Sequence, residues 1–259
     1  EGHDSYAPCT LEDLAAREYD YWALGHIHLR DWLPRPLDEG AAPVVFPGNL
    51  QGRHIKETGA KGCYLIEALP GAPLRREFHP LDVFRWETLR MDATDCASPD
   101  DFWEECSRSL QRIAQDADGR RIAIRIYCTG QGGTFDFLAA RHSRLEAELT
   151  RILVDHFDEQ FWLEGVRCEA SAASAPAEAL SDTLTEYLQR ELASLHDSEG
   201  VKEYAEIFDA LVRKLPPELE EEYDIRDGTL ASSTLWRDAI ADAQTLLWAR
   251  LRERGAGSE

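Results

Sequence analysis

The sequence predicts an α/β protein in three stretches: short strands forming one sheet of a sandwich, then a small β-α-β-α-β layer, then helices. Three observations lead there. Up to residue 82, short apolar runs are stopped by Gly and Pro. Over residues 83–170, period-two runs alternate with runs of helical period. Beyond 181 only helical spacing remains, after a small, neutral, proline-containing linker at 171–180.

Taken in order, residues 10–18 read as a short helix. Thr10 suits its N-cap, and Glu12 and Asp13 fall in the first turn, where the helix dipole favours acids. Residues 19–24 are aromatic and apolar and end at Gly25, which predicts a buried strand opening into a loop. Further short strands are expected at 44–46, stopped by Pro47-Gly48, at 62–66 and at 74–78. Next come a strand at 84–90, a helix at 99–115 with Pro99 in its first turn, and a period-two strand at 122–127. A single helix follows at 136–157, with Leu145, Leu149, Leu153 and Phe157 on one face, and then a strand at 161–170. Helices are expected at 178–195, 199–214 and 230–254, and the acidic run from Glu218 reads as a solvated face. In the last helix Leu230, Leu235, Ala239, Ala243, Leu246, Leu247 and Leu251 form more apolar surface than one terminal helix hides, so it must pack on 178–214 or on another protein.

The 259 residues, 43% hydrophobic, suffice for one large domain or a few small ones. The chain opens on Glu1 and its one methionine is Met91, so the natural start is not visible and a fragment or a processed chain is expected. A retained signal peptide is excluded, and no apolar run approaches the roughly 18 residues that span a bilayer. The net charge of −21 argues against broad nucleic-acid binding, which needs cations to displace condensed counterions. Six cysteines at 9, 63, 96, 106, 128 and 168 form no C-x-x-C pair and read as free thiols in a reducing cytosol.

The strongest chemical signal is Trp22-Ala23-Leu24-Gly25-His26-Ile27-His28. In extended backbone, residues two apart point the same way, so both imidazoles would face one site at the strand end. Neutral imidazole is the commonest nitrogen ligand of transition metals. A second loop, Phe46 through His54, follows another strand, and two loops at the ends of neighbouring strands would share one rim. On that rim Asn49, Arg53 and His54 are candidate substrate contacts, through phosphate positioning rather than base reading. The run Thr129-Gly130-Gln131-Gly132-Gly133 lacks the Gly-Lys-Ser/Thr ending and helix entry of a phosphate loop and reads as a turn.

The stretch DYWALGHIHLRDWL followed by VVFPGNLQGRHIKETGAKGCYLIE resembles the last conserved block of the SbcD-like DNA repair exonucleases, within the calcineurin-like metallophosphoesterase superfamily. The opening GHDSYAPCTLEDL is similar to the segment before that block in a bacterial branch. The resemblance is strong over residues 1–80 and architectural beyond. It implies that residues 1–82 end a metallophosphoesterase β-sandwich, that 83–170 form a cap domain, and that 181–259 dock a coiled-coil ATPase of the SbcC type. His26 and His28 match the G-H-x-H pair, one ligand to each of two metals, usually Mn2+. The D-x-H, G-D and G-N-H-D motifs that supply the remaining ligands and the general acid are not in this chain. The metal site is therefore incomplete, and no catalytic residue is expected here. The implied whole protein is a cytoplasmic two-metal phosphodiesterase acting on DNA ends, possible as a homodimer and without membrane association. The alternatives are a non-catalytic cap and docking module, or a phosphoesterase of small phosphodiesters.

Overall fold

The structure is a computed structural model that describes residues 9–17, 19–33, 42–170, 186–188, 190–192, 214, 225 and 234–256. Two units divide it, one of Glu1–Glu87 with Arg120–Ile122, the other of Thr88–Gly119 with Ala123–Glu259. The mixed α/β class is the one the sequence predicts.

In the first unit, α1 (Leu11–Ala15) starts on a full capping box: the Thr10 hydroxyl accepts from the Asp13 N–H, and the Asp13 carboxylate accepts from the Thr10 N–H. Three short strands follow, β1 (Trp22–Ala23), β2 (Asp31–Leu33) and β3 (Val44–Phe46). The central strand is β3, with Val45 fully buried. It pairs in parallel with β1 (Trp22 opposite Val44) and antiparallel with β2 (Asp31 opposite Phe46). The expected buried strand at 19–24 is shorter and more exposed: Tyr19 is exposed, Trp22 half-buried and Ala23 exposed, as befits an edge. A separate antiparallel pair, β4 (Gly62–Glu67) and β5 (Arg75–Pro80), runs in register from Gly62 opposite Pro80 to Glu67 opposite Arg75. The expected single sheet is thus two small ones. Asp82, with its side chain fully buried, takes the Arg85 Nε–H at 2.8 Å and lies 3.2 Å from the Arg120 Nε, so this buried charge is paired twice.

The division into units falls after Glu87, inside β6 (Phe84–Asp92), five residues beyond the boundary expected at 82. β6 joins β7 (Arg121–Gly130) and β8 (Phe161–Ala170) in a sheet with β7 central. Along β7 the residues Ile122, Ile124, Ile126 and Cys128 are all buried, the period-two pattern that marked this strand in the sequence. α2 (Pro99–Asp116) begins on a second capping box, Ser98 with Asp101, and Pro99 sits in the first turn, where its missing N–H leaves nothing unpaired. Phe102 and Leu110 from α2 and Leu145 and Leu149 from the later helix are fully buried in this unit's core.

The helix expected over 136–157 is two helices, α3 (Gly133–Ala140) and α4 (His142–Phe157). Arg141 breaks them with φ −116° and ψ 43°. Its guanidinium stacks 4.1 Å from the Phe137 ring centroid, and its carbonyl accepts from the Arg144 N–H, opening the second helix. α3 also starts directly from Gly132, so the 129–133 loop does enter a helix, contrary to expectation. The turn reading still describes its chemistry, because the Gln131 N–H is taken by the Thr94 hydroxyl.

α5 (Thr234–Ala256) packs against α3 and β8, inside the second unit. Two ion pairs fasten it: Arg252 donates from Nε and Nη2 to the two carboxylate oxygens of Asp136, at 2.9 and 2.6 Å, and Arg167 on β8 holds Asp242. Ile240, Thr245 and Ala249 are buried, whereas Ala239 and Ala243 are exposed, so the buried stripe is rotated from the one read in the sequence. Residues 186–188 and 190–192 are helical, within the helix expected at 178–195. The linker at 171–180, the helix at 199–214 except Lys214, and the acidic run at 218–224 lie outside the described residues. Because α5 covers one face of α3, truncation after residue 233 should lower the melting temperature of this unit, read by calorimetry. An unchanged melt would contradict its docking.

Candidate functional site

Parallel pairing of β1 and β3 puts both C-terminal ends at one edge of the first sheet. The chain leaves β1 at Ala23, and Leu24 still donates to the Val45 carbonyl at 2.8 Å. It then crosses the end of β3 and returns as β2 on the far side. His26 and His28 ride on this crossover, and Asn49 follows directly after β3. The two loops touch through backbone: the Asn49 N–H donates to the His28 carbonyl at 3.2 Å. Gly48 makes that approach possible. Its φ is +79°, and a Cβ there would stand 2.8 Å from the His28 oxygen and 3.0 Å from the Arg30 nitrogen.

His26 has φ 76°, in the left-handed region that a β-branched or bulky side chain rarely adopts. The Gly-His-x-His segment is therefore a bent loop, not extended strand, and the alternation that was expected to aim both imidazoles together does not apply. Strain of this kind persists only where surrounding contacts enforce it. Both histidines are exposed, His28 at 50% of its side chain.

One residue that sequence reasoning missed organises the rest. The Glu57 side chain is 7% exposed, and its two oxygens collect donors from three segments. Oε1 lies 2.7 Å from His28 Nδ1. Oε2 accepts from Asn49 Nδ2 and from the Arg53 N–H, each at 2.8 Å. The Arg53 guanidinium and the His54 Nε2 lie 3.6 and 3.8 Å from Oε1. The turn that delivers the carboxylate is closed by the Glu57 N–H to the His54 carbonyl at 2.9 Å. Gly52, whose Cβ would sit 2.8 Å from the Glu57 carbonyl oxygen, lets this turn fold tightly, and Trp86 Nε1 donates to the Gly52 carbonyl at 3.0 Å. His28, Asn49, Arg53 and His54, all singled out from the sequence, thus converge on one buried acid. Its trace in the sequence is a lone carboxylate among the cations of Arg53-His54-Ile55-Lys56-Glu57.

Burial pushes the Glu57 carboxyl up, but the Arg53 N–H, His28, Asn49 and the charge of His54 outweigh it, and the net shift is below the ordinary glutamate value. Lys61 is buried as well, and desolvation lowers its affinity for the proton while the charge of Glu57 acts the other way. The Arg53 Nη2 also lies 3.1 Å from His28 Nδ1. That nitrogen cannot both donate to Glu57 and accept from Arg53. An ionised carboxylate only accepts, so the proton sits on Nδ1 and the Arg53 contact is an ion pair with Oε1.

With Nδ1 so engaged, the bare lone pair of His28 is on Nε2, which no described residue bonds. A carboxylate behind an imidazole is the arrangement that orients metal-ligating histidines. Asn49 Oδ1 is buried and accepts no hydrogen bond. These donors fit a divalent transition metal. No group of three or more His, Cys, Asp or Glu that could hold one is present among the described residues. The pair supplies part of a shell only. The cysteines offer no alternative: all six are free thiols, and burial pushes Cys106 up to about 12. No described helix is long and apolar enough to cross a membrane.

Comparison with known proteins places residues 86–171 on the family model of the middle domain of metallophosphoesterase YhaO. The chain is also similar to an uncharacterized metallophosphoesterase YhaO of Bacillus subtilis, 33% identical over 162 residues. That alignment takes in 59% of this chain and 38% of the relative's length. Both likenesses support the metallophosphoesterase superfamily that the Gly-His-x-His block implies.

A glutamate titrating lower in the fold than its unfolded value of about 4.3 contributes stability that is present above that value and is lost as pH falls through the folded one. Glu57→Gln should therefore cost about 1.5–3 kcal/mol at pH 7, the worth of a hydrogen bond to a charged group. Thermal melts should show the gap to wild type closing below about pH 4. A gap that stays constant with pH would mean the carboxylate charge is not what the turn depends on.

Proposed function

We propose that this chain supplies the last metal-ligating loop and the cap of a metal-dependent phosphodiesterase that acts on DNA ends. The observation that carries the reading is His28, locked at Nδ1 by a buried carboxylate and bare at Nε2. His26 and His28 would each ligate one of two Mn2+ ions, with the remaining ligands from motifs that this chain does not contain. When bound, such a pair activates water and draws charge from the phosphoryl oxygens.

The chain's own residues contribute position and charge. The Arg53 guanidinium, 61% exposed beside Glu57, can meet a phosphate at the rim without reading sequence. The buried face of the rim loop is held by Gln51, which donates to the Phe84 carbonyl at 2.9 Å and accepts from the Val83 N–H. The overall acidity agrees with a site in which metals, rather than a broad basic surface, neutralise the scissile phosphate. DNA as substrate, and an SbcC-type ATPase as partner, rest on the resemblance of the histidine block. A second reading, a docking module without metal chemistry, is favoured by α5, on which Trp236, Leu246, Leu247 and Leu251 are only half-buried.

In the full-length protein His28→Ala should abolish Mn2+-dependent cleavage of double-stranded DNA ends, at least a hundredfold down, while the protein stays folded and loses only the stability of the one hydrogen bond to Glu57, about 1.5–3 kcal/mol. Normal digestion by this variant would contradict the metal reading and leave the docking module.

A further inference from the structure

His28 and Asn49 are chemically ambivalent. A neutral imidazole has one donor and one acceptor nitrogen, and a carboxamide has an NH2 and an oxygen. Either could serve an anion by donating or a cation by offering lone pairs. What stands behind them decides. Glu57 Oε1 meets His28 Nδ1 at 2.7 Å, and Oε2 meets Asn49 Nδ2 at 2.8 Å. A carboxylate has only lone pairs to offer, so it consumes the donor of each partner. What remains is a pair of acceptors: His28 Nε2, without a partner among the described residues, and Asn49 Oδ1, buried and unpaired.

We propose that Glu57 is a positioning residue that sets the polarity of this loop pair: by taking the Nδ1–H of His28 and the amide of Asn49, it leaves only acceptors, the half-exposed His28 Nε2 and the buried Asn49 Oδ1, and reserves the site for a divalent cation. The inference rests on the metallophosphoesterase reading and deepens it. The same oxygen that holds Asn49 also holds the Arg53 N–H, so Glu57 fixes the histidine loop and the turn at 53–57 in one frame. The frame is buried, which keeps water from competing for the carboxylate, since the side chain is 7% exposed. A purely structural glutamate would need its hydrogen bonds satisfied but would be indifferent to which tautomer His28 adopts.

Glu57→Gln separates the two roles. Glutamine keeps the size, yet its amide brings a donor into a pocket lined by the Asn49 NH2, the Arg53 N–H and the His28 N–H. One partner must then turn around or lose its bond. The test is two measurements on the full-length protein. Long-range 15N–1H correlation spectra of the metal-free protein read the His28 tautomer. Mn2+ titration followed by electron paramagnetic resonance reads affinity. Wild type should show the Nδ1–H tautomer, the glutamine variant should shift toward Nε2–H, and its Mn2+ affinity should fall roughly 10- to 100-fold, as for other partners behind a ligating histidine. The Nε2–H tautomer in wild type would overturn the proposal without any variant, as would a folded Glu57→Gln protein with unaltered tautomer and affinity. A wild-type Nδ1–H tautomer lost in the variant, in a full-length protein that binds no Mn2+, would uphold the hydrogen-bond frame and overturn the metal reading instead.

Discussion

A buried carboxylate has to be satisfied, and the first unit of this protein is arranged around that requirement at Glu57. Three segments distant in sequence send it donors: the crossover loop through His28, the loop after β3 through Asn49, and its own turn through the Arg53 N–H. Each bond to an ionised group is worth about 1.5–3 kcal/mol, and an unmatched buried charge costs more than that. The loops are therefore drawn together, and Gly48 gives the backbone clearance for them to meet. The left-handed His26 is the visible consequence of a crossover held at both ends, by Leu24 on β3 and by His28 on Glu57.

The same frame bears on the proposed phosphoester chemistry of so acidic a chain. Its few cations near the histidines are already engaged: Arg53 faces Glu57, Lys61 is buried, and Arg30 stacks 3.9 Å from the Phe78 ring centroid. A site of this composition depends on cations brought from outside, and the acceptors left by Glu57 are what such cations require.

Much of the fold could be read from the chain because local signals and tertiary packing agree. Thr10 and Ser98 begin helices through capping boxes, and the alternation at Ile122, Ile124 and Ile126 marks the central strand of the second unit. The misses arise where tertiary contacts override local pattern. The helix break at Arg141 depends on its stacking over Phe137, which helical periodicity does not register. The ion pairs of Asp242 with Arg167 and of Arg252 with Asp136 turn α5 so that Ile240, Thr245 and Ala249 are buried, a rotation the stripe of leucines and alanines does not register. Residue type and loop position singled out His28, Asn49, Arg53 and His54, which the structure gathers around Glu57. Glu57 itself was not singled out, since an acid next to Lys56 reads as a surface charge until the turn that buries it is known.

If Glu57 holds Nδ1 of His28, the bare Nε2 is the nitrogen offered to a metal. Anomalous diffraction from crystals of the full-length protein grown with Mn2+ tests it most directly. A manganese peak is expected within about 0.2 Å of the roughly 2.1 Å typical of a bond from imidazole nitrogen to a divalent transition metal, at His28 Nε2, with Nδ1 still on Glu57. A His28 ring turned so that Nε2 faces Glu57, or manganese bound only away from the His26–His28 loop, would contradict it.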